Sequence, residues 1–250
     1  MRVTRYVTPL REGGSLPAIV EGDDDGLYVL KFRGAGQGAL ALVAELISGE
    51  IGRLLHLPVP ELVFMQLDAC IGRNEPDPEI RDLLLASVGL NLGMDFLPGA
   101  TMFDAAANDA VDATTASNAV WFDAYITNID RTAKNPNLLW WHKQLYFIDH
   151  GASIYFHHNW RDVAVAAIKP FPAIKDHVLL RWASRIADVD SKLRGLLTDS
   201  AIRQVTSIVP EEWLQGSDGR TIEGYSEYLT TRLRDSIFLE EAVRAHAELV

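Results

Sequence analysis

The run Asn128-Ile-Asp130-Arg-Thr-Ala-Lys134-Asn135-Pro-Asn137 leads into two short apolar stretches, residues 138–141 and 145–148, and the second ends in Asp149-His150-Gly151. No other part of the 250-residue chain restricts its fold as tightly. The pattern reads as two short strands joined by a turn, with a polar loop before the first strand and an aspartate after the second. Pairing the strands would bring Asp130, Asn135 and Asp149 to one point. Two carboxylates and an amide so placed suit phosphoryl transfer: one carboxylate beside an incoming hydroxyl, the amide and the other carboxylate as hard oxygen ligands for Mg²⁺. Taken singly, Asp130 and Asn135 are also residues that turns select for backbone reasons. The three together, at this spacing between two strand-like runs, carry the chemical reading.

Upstream, residues 3–10 and 17–21 read as a hairpin around Arg11-Glu-Gly13-Gly14-Ser15. A glycine pair lets backbone N–H groups approach a phosphate, although it serves a plain hairpin equally well. Asp23-Asp-Asp-Gly26 is a solvated tight turn. Residues 27–32 form a strand with Lys31 inside an apolar run, and a lysine there costs desolvation unless an anion meets it. Residues 39–55 have helical spacing, with Leu42, Leu46, Ile47, Ile51, Leu54 and Leu55 on one face. Glu45 lies near that face and is the natural partner of Lys31, with Glu50 as the alternative. Residues 62–67 and 88–96 read as strands, the latter running into Asp95-Phe96-Leu97-Pro98-Gly99, and residues 74–78 as an exposed loop.

Residues 103–116 suggest a poorly packed helix or a mobile connection. A helix over 117–127, with Val120, Trp121, Ala124 and Tyr125 as its apolar face, then delivers the chain to Asn128. His157 and His158 fall in a stretch that reads as extended, where neighbouring side chains point apart, so a metal role is not expected. Residues 171–176 read as an irregular link, and residues 177–186, 190–197, 199–208 and 224–249 as helices.

The Asp-x4-Asn spacing, followed by paired strands and Asp-x-Gly, resembles the catalytic and metal-binding loops of protein kinases. Asn128-Ile129-Asp130 stands where those enzymes have His-Arg-Asp, and Asp149-His150-Gly151 where they have Asp-Phe-Gly. That departure is similar to the HipA-like kinases, and phosphoinositide 3-kinase-type enzymes share parts of it. A helix glutamate ahead of Leu57-Pro-Val-Pro60-Glu61 also looks like the HipA-like pattern. The resemblance implies an α+β, bilobal protein-kinase-like fold, with a strand-rich N-lobe over residues 1–97 and a mainly helical C-lobe over residues 98–250. It implies ATP and Mg²⁺. By position, Gly13, Gly14, Ser15 and Lys31 would meet phosphate, and Glu45 would orient Lys31. Asp95, Phe96 and Leu97 would meet the adenine. Asp130 would align the acceptor hydroxyl, Lys134 would add charge near the γ-phosphate, and Asn135 and Asp149 would hold Mg²⁺. The implied acceptor is a protein serine or threonine. A small-molecule or lipid-headgroup kinase, or a pseudokinase acting as an interaction module, are the other readings.

With 48% hydrophobic residues the chain can bury a large core. Its net charge of −11 argues against a general binder of nucleic acid or anionic membrane. One cysteine, Cys70, excludes an internal disulfide. The first residues lack the apolar stretch of a signal peptide, and no apolar run approaches the roughly 18 residues of a membrane span. A soluble, cytoplasmic protein is expected.

Overall fold

The computed structural model describes residues 1–11, 16–36, 38–73, 75–107, 111–216 and 219–249. Its first part is an antiparallel sheet of β1 (Val3–Pro9), β2 (Ala18–Gly22), β3 (Leu27–Lys31), β4 (Leu62–Leu67) and β5 (Gly89–Asp95), in the order β1-β2-β3-β5-β4. The two-residue period of each strand sorts its side chains onto two faces. On β3, Tyr28 and Leu30 point to one face together with Val63, Met65 and Leu67 of β4, and helix α2 (Pro78–Ala86) covers that face with Ile80 and Leu84. Lys31, one residue on from Leu30, points to the opposite face. There Leu62 and Phe64 of β4 and Leu90 and Leu92 of β5 meet helix α1 (Ala39–Leu54). The helix comes close because Gly49 has no side chain: a Cβ there would lie 2.5 Å from Leu62 Cδ1.

The apolar face of α1 is continuous with the core of the helical part. At its centre is α3 (Ala113–Ile126), buried on every side from Ala116 to Ile126 except at half-buried Asn118. A second, small sheet of β6 (Thr101–Met102), β7 (Leu138–Trp141) and β8 (Gln144–Phe147) lies beside it. The β7–β8 turn has positive φ at both His142 (48°) and Lys143 (64°), the conformation that matches the strand twist of a tight hairpin. Helices α4 (Val163–Ala167), α5 (Ile186–Leu196), α6 (Asp199–Ser207), α7 (Glu211–Leu214), α8 (Ile222–Arg234) and α9 (Ile237–Leu249) complete the chain. Among the described residues no helix is long and apolar enough to cross a membrane.

Several sequence expectations are corrected. Helix α2 begins at the last residue of the loop expected over 74–78 and fills a stretch to which no element was assigned; Asp77 caps it by accepting from the Glu79 N–H at 3.0 Å, with Pro78 at the first helical position. Helix α3 starts four residues earlier than expected, because Asp112 accepts from the N–H groups of Thr114 and Thr115. Residues 177–186 are not a helix: His177 pairs with Thr132 in an isolated β-bridge, and only a short 3₁₀ turn, Leu180–Trp182, precedes α5. The long final helix is two, because Asp235 leaves helical geometry and accepts from the Ile237 N–H at 2.7 Å. His157 and His158 lie on a 3₁₀ turn, Tyr155–Asn159, which brings their Nε2 atoms to 3.2 Å instead of splaying them. Burial and the neighbouring His158 push the His157 pKa down to about 3. Gly13, Gly14 and Ser15 lie outside the described residues.

Candidate active site

Lys31 emerges from β3 facing α1, and Glu45 points back from the buried side of that helix. Their contact is Nζ to Oε2 at 2.6 Å, and Lys31 Nζ also reaches Asp149 Oδ1 at 2.6 Å. Burial alone would lower the lysine pKa, but Asp149 and Glu45 outweigh it and the net shift is upward. Burial likewise pushes Glu45 up, and Lys31 and His150 overcome this to hold it down at about 2. Glu50 instead lies beside Arg53 at 3.5 Å. The residues after Asp149 fasten α1 further. The His150 N–H donates to Glu45 Oε2 at 2.7 Å, and Ser153 Oγ lies 2.6 Å from Ser48 Oγ. The His150 ring is buried edge-on against Phe122, with Nδ1 3.6 Å from Glu45 Oε1.

Asp149 itself has φ 55°, a left-handed conformation that aspartate tolerates better than most residues. It follows β8, and Asp130 and Asn135 precede β7, so the hairpin brings the three to one end. Asn135 Nδ2 donates to Asp130 Oδ2 at 2.7 Å. This fixes the amide, because its nitrogen must face the carboxylate, and Asn135 Oδ1 remains as the acceptor. Asn137 Nδ2 lies 3.5 Å from both Asp130 Oδ2 and the Asp149 carbonyl, bridging the two ends of the hairpin. Burial raises the Asp130 pKa and the charge of Asp149 adds to the rise, against the hydrogen bonds from Asn135 and Asn137. A half-buried carboxylate with raised basicity, and one oxygen without a hydrogen-bond partner among the described residues, can accept a proton from a hydroxyl. Lys134 is exposed on the same loop.

Beneath the loop is a fully buried ionic network that the sequence reading missed. Arg131 Nε donates to Asp123 Oδ2 at 2.6 Å, and Asn128 Nδ2 donates to Asp123 Oδ1 at 3.0 Å. His177 Nδ1 accepts from the Leu179 N–H, so its Nε2 carries the proton and donates to Asp123 Oδ2 at 2.9 Å. Arg131 Nη1 also donates to the carbonyls of Asn137 and Ile148, one on each side of the hairpin. Burial would raise the Asp123 pKa, but Arg131 and His177 hold it well below the usual carboxylate range. One signal was available: Asp123 is the lone carboxylate in the apolar run Trp121-Phe122-Asp123-Ala124-Tyr125, and a buried charge requires a partner.

At the far end of β5 the Asp95 N–H donates to the Glu61 carbonyl at 2.9 Å and the Phe96 N–H to the Leu27 carbonyl at 3.0 Å. The Leu97 N–H has no partner among the described residues. Burial and then Glu61 raise the Asp95 pKa. No group of three or more His, Cys, Asp and Glu side chains that could hold a metal occurs among the described residues. Asn135 Oδ1 and Asp149 nevertheless fit Mg²⁺, which is commonly held by one or two protein oxygens together with substrate phosphates.

Residues 3–236 match the sequence family described as HipA-like kinase. No curated protein matches the sequence. Among solved structures, the Helicobacter pylori proinflammatory kinase CtkA superposes with a TM-score of 0.53 at 12% identity, covering 100% of this chain and 99% of that one. The Golgi casein kinase with Mn/ADP bound superposes with a TM-score of 0.54 at 11% identity, covering 98% of this chain and 73% of that one. At these identities the likeness is one of fold: a five-stranded antiparallel sheet followed by a helical part, in the bilobal kinase-like arrangement.

Proposed function

Since this chain belongs to the HipA-like kinase family, we propose that it transfers the γ-phosphate of ATP to a hydroxyl, with a protein serine or threonine as acceptor. The observation that carries the reading is the joining of Lys31, Glu45 and Asp149 through 2.6 Å contacts, beside an Asp130 whose Oδ1 has no hydrogen-bond partner among the described residues. The Mn/ADP bound to the Golgi casein kinase supports the use of a nucleotide and a divalent ion here. On this reading residues 1–97 form the lobe that covers the nucleotide, and residues 98–250 carry the loops that act on it.

Each residue has a role in the transfer. Lys31, oriented by Glu45, holds phosphate oxygens, and the Leu97 N–H is available to the adenine edge. Asn135 Oδ1 and Asp149 would hold Mg²⁺, which when bound neutralises phosphate charge. Asp130 Oδ1 accepts a hydrogen bond from the acceptor hydroxyl and aims its oxygen. That oxygen bonds to the γ-phosphorus as the bond from phosphorus to the departing ADP oxygen breaks with its electron pair, and the hydroxyl proton passes to Asp130. Lys134 adds positive charge at the transferring group.

The test pairs binding with turnover. Mg·ATP at 100 times its dissociation constant stabilises a folded protein by about 2.7 kcal/mol, and at about 2–4 °C per kcal/mol for a chain of this size the melting temperature should rise by roughly 5–10 °C. Asp130→Asn should lower kcat at least about 10²-fold with nucleotide affinity nearly unchanged. Asp149→Asn should lose metal-dependent nucleotide binding as well. Unchanged melting at saturating Mg·ATP, or full turnover in Asp130→Asn, would overturn the reading.

A further inference from the structure

Charge is unevenly distributed along this chain. Residues 128–185 carry eight lysines and arginines against four aspartates, a net of +4, while the other 192 residues carry fifteen basic and thirty acidic side chains, a net of −15. Within the basic stretch Arg131 is paired with Asp123 and Arg185 with Asp188. Lys134, Arg161, Lys169 and Lys175 are exposed and have no ion-pair partner among the described residues. Two of the four aspartates are Asp130 and Asp149, and a third, Asp162, is occupied in capping α4 through the Val165 N–H at 3.1 Å.

Two backbone contacts join this basic stretch to the candidate loop. The Ile129 N–H donates to the Ala152 carbonyl, which sets the start of the segment 152–170 beside Asp130. The Thr132–His177 bridge, with the Val178 N–H donating to the Arg131 carbonyl at 3.1 Å, brings the stretch that carries Lys175 to the other side. The same segments expose apolar side chains: Ile129 at 39%, Tyr155 at 49%, Val165 at 48% and Ile168 at 45%.

We propose that this face receives the phosphate acceptor, and that the acceptor is a hydroxyl-bearing segment of polypeptide rich in aspartate and glutamate. The inference rests on the kinase reading and supplies its substrate class. Unpaired cations on the stretch joined to the loop attract an acidic chain, and the net −15 carried by the other 192 residues disfavours the same chain elsewhere, so productive approach is favoured at this face. Tyr155, Val165 and Ile168 offer contacts to an extended polypeptide that a small anion has no means to use. A long polyanion such as nucleic acid would run past the face onto the acidic remainder, whereas a short acidic segment ends within it.

Three serine peptides, alike except for acidic, neutral or basic flanks, supply the test, with Mg·ATP melting shifts and peptide-free ATP turnover measured alongside. The acidic peptide should show a kcat/KM about tenfold or more above the neutral one, the low end of what electrostatic steering supplies. The gain should lie in KM and shrink as salt rises from about 0.05 to about 0.3 M. The triple variant Arg161→Glu, Lys169→Glu, Lys175→Glu should lose the preference and keep both the melting shift and the peptide-free turnover. Lys175→Glu alone should move the preference in the same direction, and it serves if the triple variant does not fold. Equal use of the three peptides, preference for the basic one, or an acidic preference that survives charge reversal overturns the proposal. Displacement of the acidic peptide by single-stranded DNA or anionic vesicles at equal charge concentration overturns the partner class. If the melting shift persists while the preference is absent, only the acceptor assignment falls. If the shift is absent, the kinase reading falls and this inference with it.

Discussion

Replacing Asp123 by asparagine removes one charge from beneath the candidate loop and leaves the shape of the side chain. In the native protein Asp123 is fully buried and accepts from Arg131 Nε, Asn128 Nδ2 and His177 Nε2 at 2.6, 3.0 and 2.9 Å. An asparagine keeps one acceptor oxygen and turns an N–H₂ group towards donors that then face a donor. Arg131, itself 1% exposed, is left as a buried cation without a counter-charge. Breaking a buried pair from one side costs about 3–5 kcal/mol, set against a total stability of about 5–15 kcal/mol for a folded protein. The variant should therefore remain folded but weakened. At about 2–4 °C per kcal/mol its melting temperature should fall by roughly 6–20 °C. Calorimetry at neutral pH measures this directly, because the Asp123 pKa lies well below the usual carboxylate range and the native charge is fully present there. Arg131→Met and the double variant complete a cycle, in which the double variant should lose less than the sum of the singles. A fall below about 2 °C, or strict additivity, would refute the claim that this network holds the loop.

Three further outcomes follow from the same packing. The Glu45 carboxylate is held down to about 2 from 4.5, so its contribution to stability is complete above 4.5 and is lost as pH falls through 2. Acid melts of the wild type and Glu45→Gln should converge over that window, and a constant gap would refute the assignment. Lys31→Met leaves Glu45 buried beside no ammonium, so acidification from neutrality to about pH 5 should stabilise that variant, whereas the Glu45 contribution in the wild type does not change over that range; denaturant midpoints at the two pH values decide it. Trp213 of α7 donates from Nε1 to the Leu90 carbonyl at 3.1 Å and packs against Phe64. Trp213→Phe should cost about 0.5–1.5 kcal/mol for the hydrogen bond and Trp213→Ala about 3–5 kcal/mol, and equal losses in urea titrations would contradict this account.

What the sequence disclosed divides along physical lines. The strands and α1 were legible because their apolar residues form runs or recur at the period of the element, although α1 is buried on every side from Leu42 to Gly49. The approach of Lys31 to Glu45 was legible because a lysine within an apolar strand demands a nearby anion. The network of Asp123, Arg131 and His177 was legible only in the lone carboxylate Asp123 within an apolar run, since His177 lies 54 positions away and no local pattern marks it as the partner. The expected helix over 177–186 failed for the same reason: its first residue is engaged with Thr132 and Asp123, and that long-range demand overrides local propensity. Helix α2 was missed despite Asp77-Pro78-Glu79, which carries the cap and first-turn residues a helix start requires. The break at Asp235 was likewise written in a residue able to cap the following helix.

The two separately packed cores have a mechanical consequence. Strand β3 is anchored by Tyr28 and Leu30 to the core under α2, whereas α1 is anchored to the core of the helical part. The bond from Lys31 to Glu45 thus crosses a seam between two bodies, and so does the bond from Lys31 to Asp149. At 2.6 Å neither contact survives a slide of much more than about 1 Å along that seam as a hydrogen bond. A substitution that merely softens either core leaves both bonds intact, while one that shifts the seating of the sheet on α1 through Leu62, Phe64, Leu90 or Leu92 breaks them together. The lysine works as a clasp, closed only when the two halves are in register.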